Sequence, residues 1–101
     1  MKYNKLVRDK IPEIIEAQGE RPDFRVLDDD EFLIRLEEKL DEEVAEYHES
    51  GAMEELADIL EVVCTLCKAR GGTIDELTAL FREKHKARGG FSGRIFLIGK
   101  E

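Results

Sequence analysis

Five carboxylates stand out by their spacing. In KLDEEVAE, residues 39–46, Glu42, Glu43 and Glu46 fall within about one helical turn. In MEELADIL, residues 53–60, Glu55 and Asp58 stand three apart. At about 100° per residue, Glu43 lies on the edge of an apolar stripe and Glu46 next to it, while Glu55 flanks a second stripe with Asp58 one step further out. Four or five carboxylates in one small volume repel and raise each other's pKa values. Hard divalent cations with oxygen ligands are the usual compensation, and Mg²⁺ is commonly shared between carboxylates and substrate phosphates. The competing reading is structural, because Glu is a good helix former and paired glutamates on an exposed face are ordinary.

Cations gather at the two ends of the chain. Lys5, Arg8 and Lys10 stand beside the N-terminus of the first helical pattern, and Lys84 and Arg88 stand about one turn apart before GGFSG and Arg94. Arg suits bidentate contact with phosphate. Lys84 and Arg88 are equally accounted for as cations near a helix C-terminus. The glycines of RGGFSGR form no phosphate loop, since the Walker pattern and its βαβ setting are both missing. Cys64 and Cys67 form C-x-x-C inside a helical pattern, where packing is the expected role. His48 and His85 are isolated, and no Ser or Cys has a base beside it in the sequence.

The elements that must position these groups read as four helices. The first spans 9–18, with Asp9 as N-cap, Pro12 in the opening turn and Gly19 as the stop. A loop over 19–27 follows. The second helix starts at the acidic cluster Asp28, Asp29, Asp30, carries Leu33, Leu36, Leu40, Val44 and Tyr47 on one face, and ends at Ser50-Gly51. The third, 52–70, is expected to face it with Leu56, Ile59, Leu60, Val63 and Cys67. Thr73 and Glu76 form a capping-box pattern opening the fourth, 74–88, which Gly89-Gly90 stops. The tail FSGRIFLIGK alternates enough for a short strand or an extended segment packed on the bundle. The short joint at Ser50-Gly51 makes helices two and three antiparallel neighbours and sets the two carboxylate groups face to face.

The expected fold is therefore all-α: a single domain over 1–101, a small antiparallel bundle of four helices with a short extended C-terminal tail. With 42% hydrophobic and 40% charged residues the chain is too apolar for disorder. So small a bundle leaves little wall for an enclosed site, and a homodimer or higher homo-oligomer is expected to complete it. The net charge of −8 argues against nucleic acid or an anionic membrane as partner. Residues 11–81 carry 6 Lys/Arg against 21 Asp/Glu, a net of −15, and the remaining ends carry 10 against 3, a net of +7. Such a layout suits cations at the centre and phosphates at the rim, or plain charge complementarity between helices. No apolar run approaches the roughly 20 residues of a membrane span. MKYNKLVRDK has no signal-peptide core, and two cysteines make no disulfide framework, so a cytoplasmic location is expected.

On these residues the chain resembles the all-alpha nucleoside triphosphate pyrophosphohydrolases, the superfamily of MazG and phosphoribosyl-ATP pyrophosphohydrolase. The family signature, E-E-x-x-E followed by E-x-x-D, is met by Glu42-Glu43-Val44-Ala45-Glu46 and Glu55-Leu56-Ala57-Asp58. The opening YNKLVRDKIPEII and the closing KHKARGGFSGRIFL are similar to a small single-domain branch, so the resemblance spans nearly the whole chain. One departure is the spacer of eight residues between Glu46 and Glu55, shorter than is usual. The resemblance implies Mg²⁺, with Mn²⁺ as substitute, on Glu43, Glu46, Glu55 and Asp58. Glu42 would be a further ligand or the base beside the attacking water. Lys5, Arg8, Lys84, Arg88 and Arg94 are the matching candidates for phosphate. The implied reaction converts a nucleoside triphosphate to its monophosphate and pyrophosphate, as house-cleaning of nucleotide pools. The alternatives are phosphoribosyl-ATP hydrolysis in histidine biosynthesis and a non-catalytic helical interaction module.

Overall fold

A computed structural model describes residues 4–101; Tyr3, the first residue of the YNKLVRDKIPEII stretch, lies outside it. Four helices follow in order: α1 Ile11–Ala17, α2 Asp29–Ser50, α3 Met53–Ala69 and α4 Ile74–Arg88, with no strand among the described residues. The all-α reading holds. No helix among the described residues is long and apolar enough to cross a membrane.

Local chemistry sets most of the boundaries. Asp28 caps α2, its Oδ1 accepting from the Glu31 amide at 2.9 Å. Gly51 at φ 65 closes α2 in the left-handed region, its amide donating to the Tyr47 carbonyl at 2.7 Å. Gly71 at φ 90 ends α3 in a Schellman motif, with Gly71 N–H donating to Lys68 O and Gly72 N–H to Cys67 O. Thr73 accepts from the Glu76 amide at 3.1 Å, while its hydroxyl donates to the Glu76 carboxylate at 3.0 Å. This is a variant of the expected capping box. The Asp9 cap is not found. The N-cap of α1 is Lys10, whose side chain carries only donors and makes no cap hydrogen bond, while the Ile11 amide donates to the Arg8 carbonyl at 3.1 Å.

The α2–α3 antiparallel pair is the only extensive helix packing among the described residues. α4 meets α3 beside the joint that connects them, and α2 and α4 do not touch. Leu36 of α2 (2% exposed) and Val62 of α3 (6%) are the buried apolar side chains among the described residues. On α3 the packed face differs from the expected one. Val62 is buried with Ile59, Val63 and Leu66 half-buried around it, whereas Leu56 and Leu60 are exposed. The helix is apolar over more than half its circumference, and α2 covers only one side of it. The tail also departs from expectation: it forms no strand and does not pack on its own bundle, with Phe91 fully exposed. The radius of gyration, 18.0 Å, exceeds the roughly 13 Å of a compact chain this long, and the molecule extends 63 × 32 × 22 Å.

Candidate metal centre

The packed seam explains where the carboxylates sit. Residues 36, 40 and 43 follow one another on the face of α2 that meets α3, so Glu43 occupies a core position one turn beyond Leu40. Residues 55, 58 and 62 do the same on α3, so Glu55 and Asp58 continue the line of Val62. The seam thus changes from apolar to acidic toward the Gly51 turn. Glu43 is only 6% exposed, deeper than the stripe edge its spacing suggested.

Two triads of carboxylate oxygens result, each lying within 4.8 Å internally: Glu42, Glu43 and Glu46 on α2, and Glu43, Glu55 and Asp58 across the pair. Glu43 belongs to both. The four expected ligands and Glu42 are therefore brought together around one side chain. Glu43 Oε1 forms an ion pair with Lys39 Nζ at 3.3 Å, whereas Glu43 Oε2 is buried with no hydrogen-bond partner. Burial, the largest influence, raises the pKa of Glu43; the Lys39 hydrogen bond opposes this, and the charges of Glu46 and Asp58 add to it. The net effect holds Glu43 above the usual carboxylate value.

Three cations border the cluster. Lys39, which spacing arguments about the acids had overlooked, is half-buried and bridges Glu42 Oε2 and Glu43 Oε1, each at 3.3 Å. Its position three residues before Glu42 and four before Glu43 is the signal that marks it. Burial disfavours its charge, but the hydrogen bonds to Glu42 and Glu43 outweigh this and raise its pKa. Lys5 stands 3.5 Å from Glu42. Arg8 donates from Nη2 to Asp58 at 2.6 Å and lies 3.5 Å from Glu61 through Nη1. These two of the five expected phosphate-binding cations thus meet the carboxylates. Lys84, Arg88 and Arg94 lie on the exposed end of α4 and beyond it, with no ion pair among the described residues.

The arrangement can hold a hard cation. The donor set is all carboxylate oxygen, and Glu43 Oε2 is an acceptor shut away from water without a donor, a costly state for an anion that a cation relieves. Cys64 and Cys67 do not contribute. Both are free thiols, and Cys67 donates to the Thr73 carbonyl at 3.3 Å, tying α3 to the start of α4.

No protein-family model matches the chain, and no solved structure matches it. A stretch of 41 residues is 61% identical to an uncharacterized protein of Mycolicibacterium smegmatis. That stretch is 41% of this chain and 42% of the relative, so the match spans less than half of either.

Proposed function

We propose that the chain is a Mg²⁺-dependent nucleoside triphosphate pyrophosphohydrolase, working at the carboxylate cluster of α2 and α3. The observation that carries this reading is the buried, partnerless Glu43 Oε2 at the intersection of two carboxylate triads. It agrees with the resemblance of the Glu42–Glu46 and Glu55–Asp58 motifs to the all-alpha pyrophosphohydrolases. Glu43, Glu46, Glu55 and Asp58 would hold Mg²⁺, or Mn²⁺ in its place. A bound ion there supplies a water of lowered pKa and neutralises charge on phosphoryl oxygens.

The chain's own residues supply the rest. Lys39 orients the Glu42–Glu43 pair, so that Glu43 presents its free oxygen while the other stays engaged. Glu42 is a further ligand or accepts the proton of the attacking water. That water adds to the α-phosphorus, the α–β bridging oxygen departs with pyrophosphate, and the monophosphate remains. Arg8 and Lys5, which pair with Asp58 and Glu42, would be the cations nearest the cluster to hold phosphate oxygens. The small buried core supports a homodimer or larger homo-oligomer as the working unit, and the cytoplasm as its location suits nucleotide-pool chemistry.

The test is pyrophosphate release from a panel of ribo-, deoxyribo- and modified nucleoside triphosphates plus phosphoribosyl-ATP, with Mg²⁺ or with EDTA. Metal-dependent release is expected, and the ranking within the panel assigns the substrate. No release from folded protein under any condition would overturn the reading in favour of a non-catalytic helical module.

A further inference from the structure

From Ala79 to Glu101 every residue is exposed. This segment is nevertheless rich in groups that water does not favour: Leu80 and Phe81 on α4, then Phe91, Ile95, Phe96 and Ile98 in the tail, each 55–100% exposed. Together with Leu97 they present on the order of 1,000 Å² of apolar side chain, against roughly 800 Å² per partner in a standard interface. A 15-residue helix is marginal in water without a packing surface. The rest of the chain shows the complementary deficit, with Leu56 and Leu60 of α3 uncovered beside the seam.

Charge indicates what covers what. Residues 82–101 carry 6 Lys/Arg against 2 Asp/Glu, a net of +4, while the α2–α3 pair, residues 29–69, carries 3 against 14, a net of −11. Within one copy α4 meets α3 but makes no close approach to α2, and Lys84, Arg88 and Arg94 pair with no acid among the described residues. Among the described residues, one chain therefore carries both a basic, apolar strap that is exposed from Ala79 onward and an acidic, partly apolar surface that the strap does not cover.

We infer that α4 and the tail of one copy pack across the α2–α3 pair of a second copy, and reciprocally. The apolar residues cover the Leu56–Leu60 face, and Arg88 and Arg94 are delivered to the rim of the other copy's carboxylate cluster, where they meet an anionic phosphate ligand. The delivery of cations to a reaction centre rests on the function proposed above; the interface does not. A two-fold arrangement gives each site acids from one copy and strap cations from the other.

Native mass spectrometry of the full chain is expected to give twice 11.6 kDa, and the double variant Phe96→Ser, Ile98→Ser to shift toward 11.6 kDa. Copies labelled with ¹⁴N and ¹⁵N are refolded together and treated with a carbodiimide, which joins amines to carboxylates at zero length. Links from Lys84, Lys86 or Lys100 to acids of α2 or α3 are expected in mixed-isotope peptide pairs. A monomer at micromolar concentration, or links only within one isotope, would overturn the inference. If the protein turns over substrate, Glu43→Gln and Arg94→Ala refolded together regain about one quarter of wild-type activity when the sites are shared, and none when each copy works alone. Mixed-isotope links without any pyrophosphate release would uphold the interface and refute the hydrolase instead.

Discussion

Replacing Glu43 by Gln separates a metal ligand from an ordinary buried residue. Glu43 is 6% exposed, one of its oxygens has no partner, and its pKa is raised. A carboxyl whose folded pKa exceeds its unfolded value is held most favourably when protonated. Its penalty therefore grows as pH climbs from the reference value of 4.5 through the raised folded value, and is complete above that. Near neutral pH and without metal, Glu43→Gln removes this charge and brings an amide that can donate to a neighbouring carboxylate, and it is expected to stabilise the protein by about 1–3 kcal/mol, the range for relieving an unsatisfied buried acceptor. At this chain length each kcal/mol moves Tm by about 4–8 °C. With metal the order reverses. A cation present at about 100 times its Kd stabilises the wild type by about 2.7 kcal/mol, and the variant lacks the central ligand. The assay is thermal melting of both proteins at one fixed concentration, with EDTA and with Mg²⁺, from pH 5 to 8. The variant should melt higher in EDTA and lower in Mg²⁺, with the EDTA gap narrowing toward acid pH. A variant that melts lower in EDTA, or that gains as much from Mg²⁺ as the wild type, would refute the reasoning.

Three further outcomes follow from the same geometry. Lys39→Met leaves Glu42 and Glu43 facing each other without their shared cation; it should cost about 1–3 kcal/mol in EDTA melts, with much of the loss recovered in Mg²⁺. Arg8 is more than half exposed, so Arg8→Ala should change stability by less than about 1 kcal/mol, yet raise KM for a nucleoside triphosphate in steady-state kinetics. Gly71 sits at φ 90, and Gly71→Ala should lower Tm by about 4–8 °C, the equivalent of about 1 kcal/mol of left-handed strain.

The helix ends were legible because single residues determine them: Asp28 through one hydrogen bond, Gly51 and Gly71 through a backbone region few residues share, Thr73 through its hydroxyl. The carboxylates were legible because turn spacing and a short joint are enough to bring Glu43 to Glu55 and Asp58. The packed face of α3 was not, since Leu56 and Leu60 match the helical period as well as Val62 does, and only the partner helix decides among them. The depth of Glu43 was hidden for the same reason: its position is core-like, but its chemistry reads as surface. Lys39 was hidden because a lysine three and four residues before glutamates reads as an ordinary surface ion pair of a helix. The tail's alternation suggested packing, and pattern alone does not say onto what.

The turn at Gly51 also bears on when the centre comes into being. Eight residues separate Glu46 from Glu55, so joining the two carboxylate groups closes a loop of small entropic cost. The α2–α3 pair is thus the cooperative unit expected to protect its amides from hydrogen exchange longest, with α4 and the tail exchanging through smaller openings. Fraying of α4 then leaves the five carboxylates in place, and a cation added early in refolding would find its ligands already gathered before the rest of the chain is ordered.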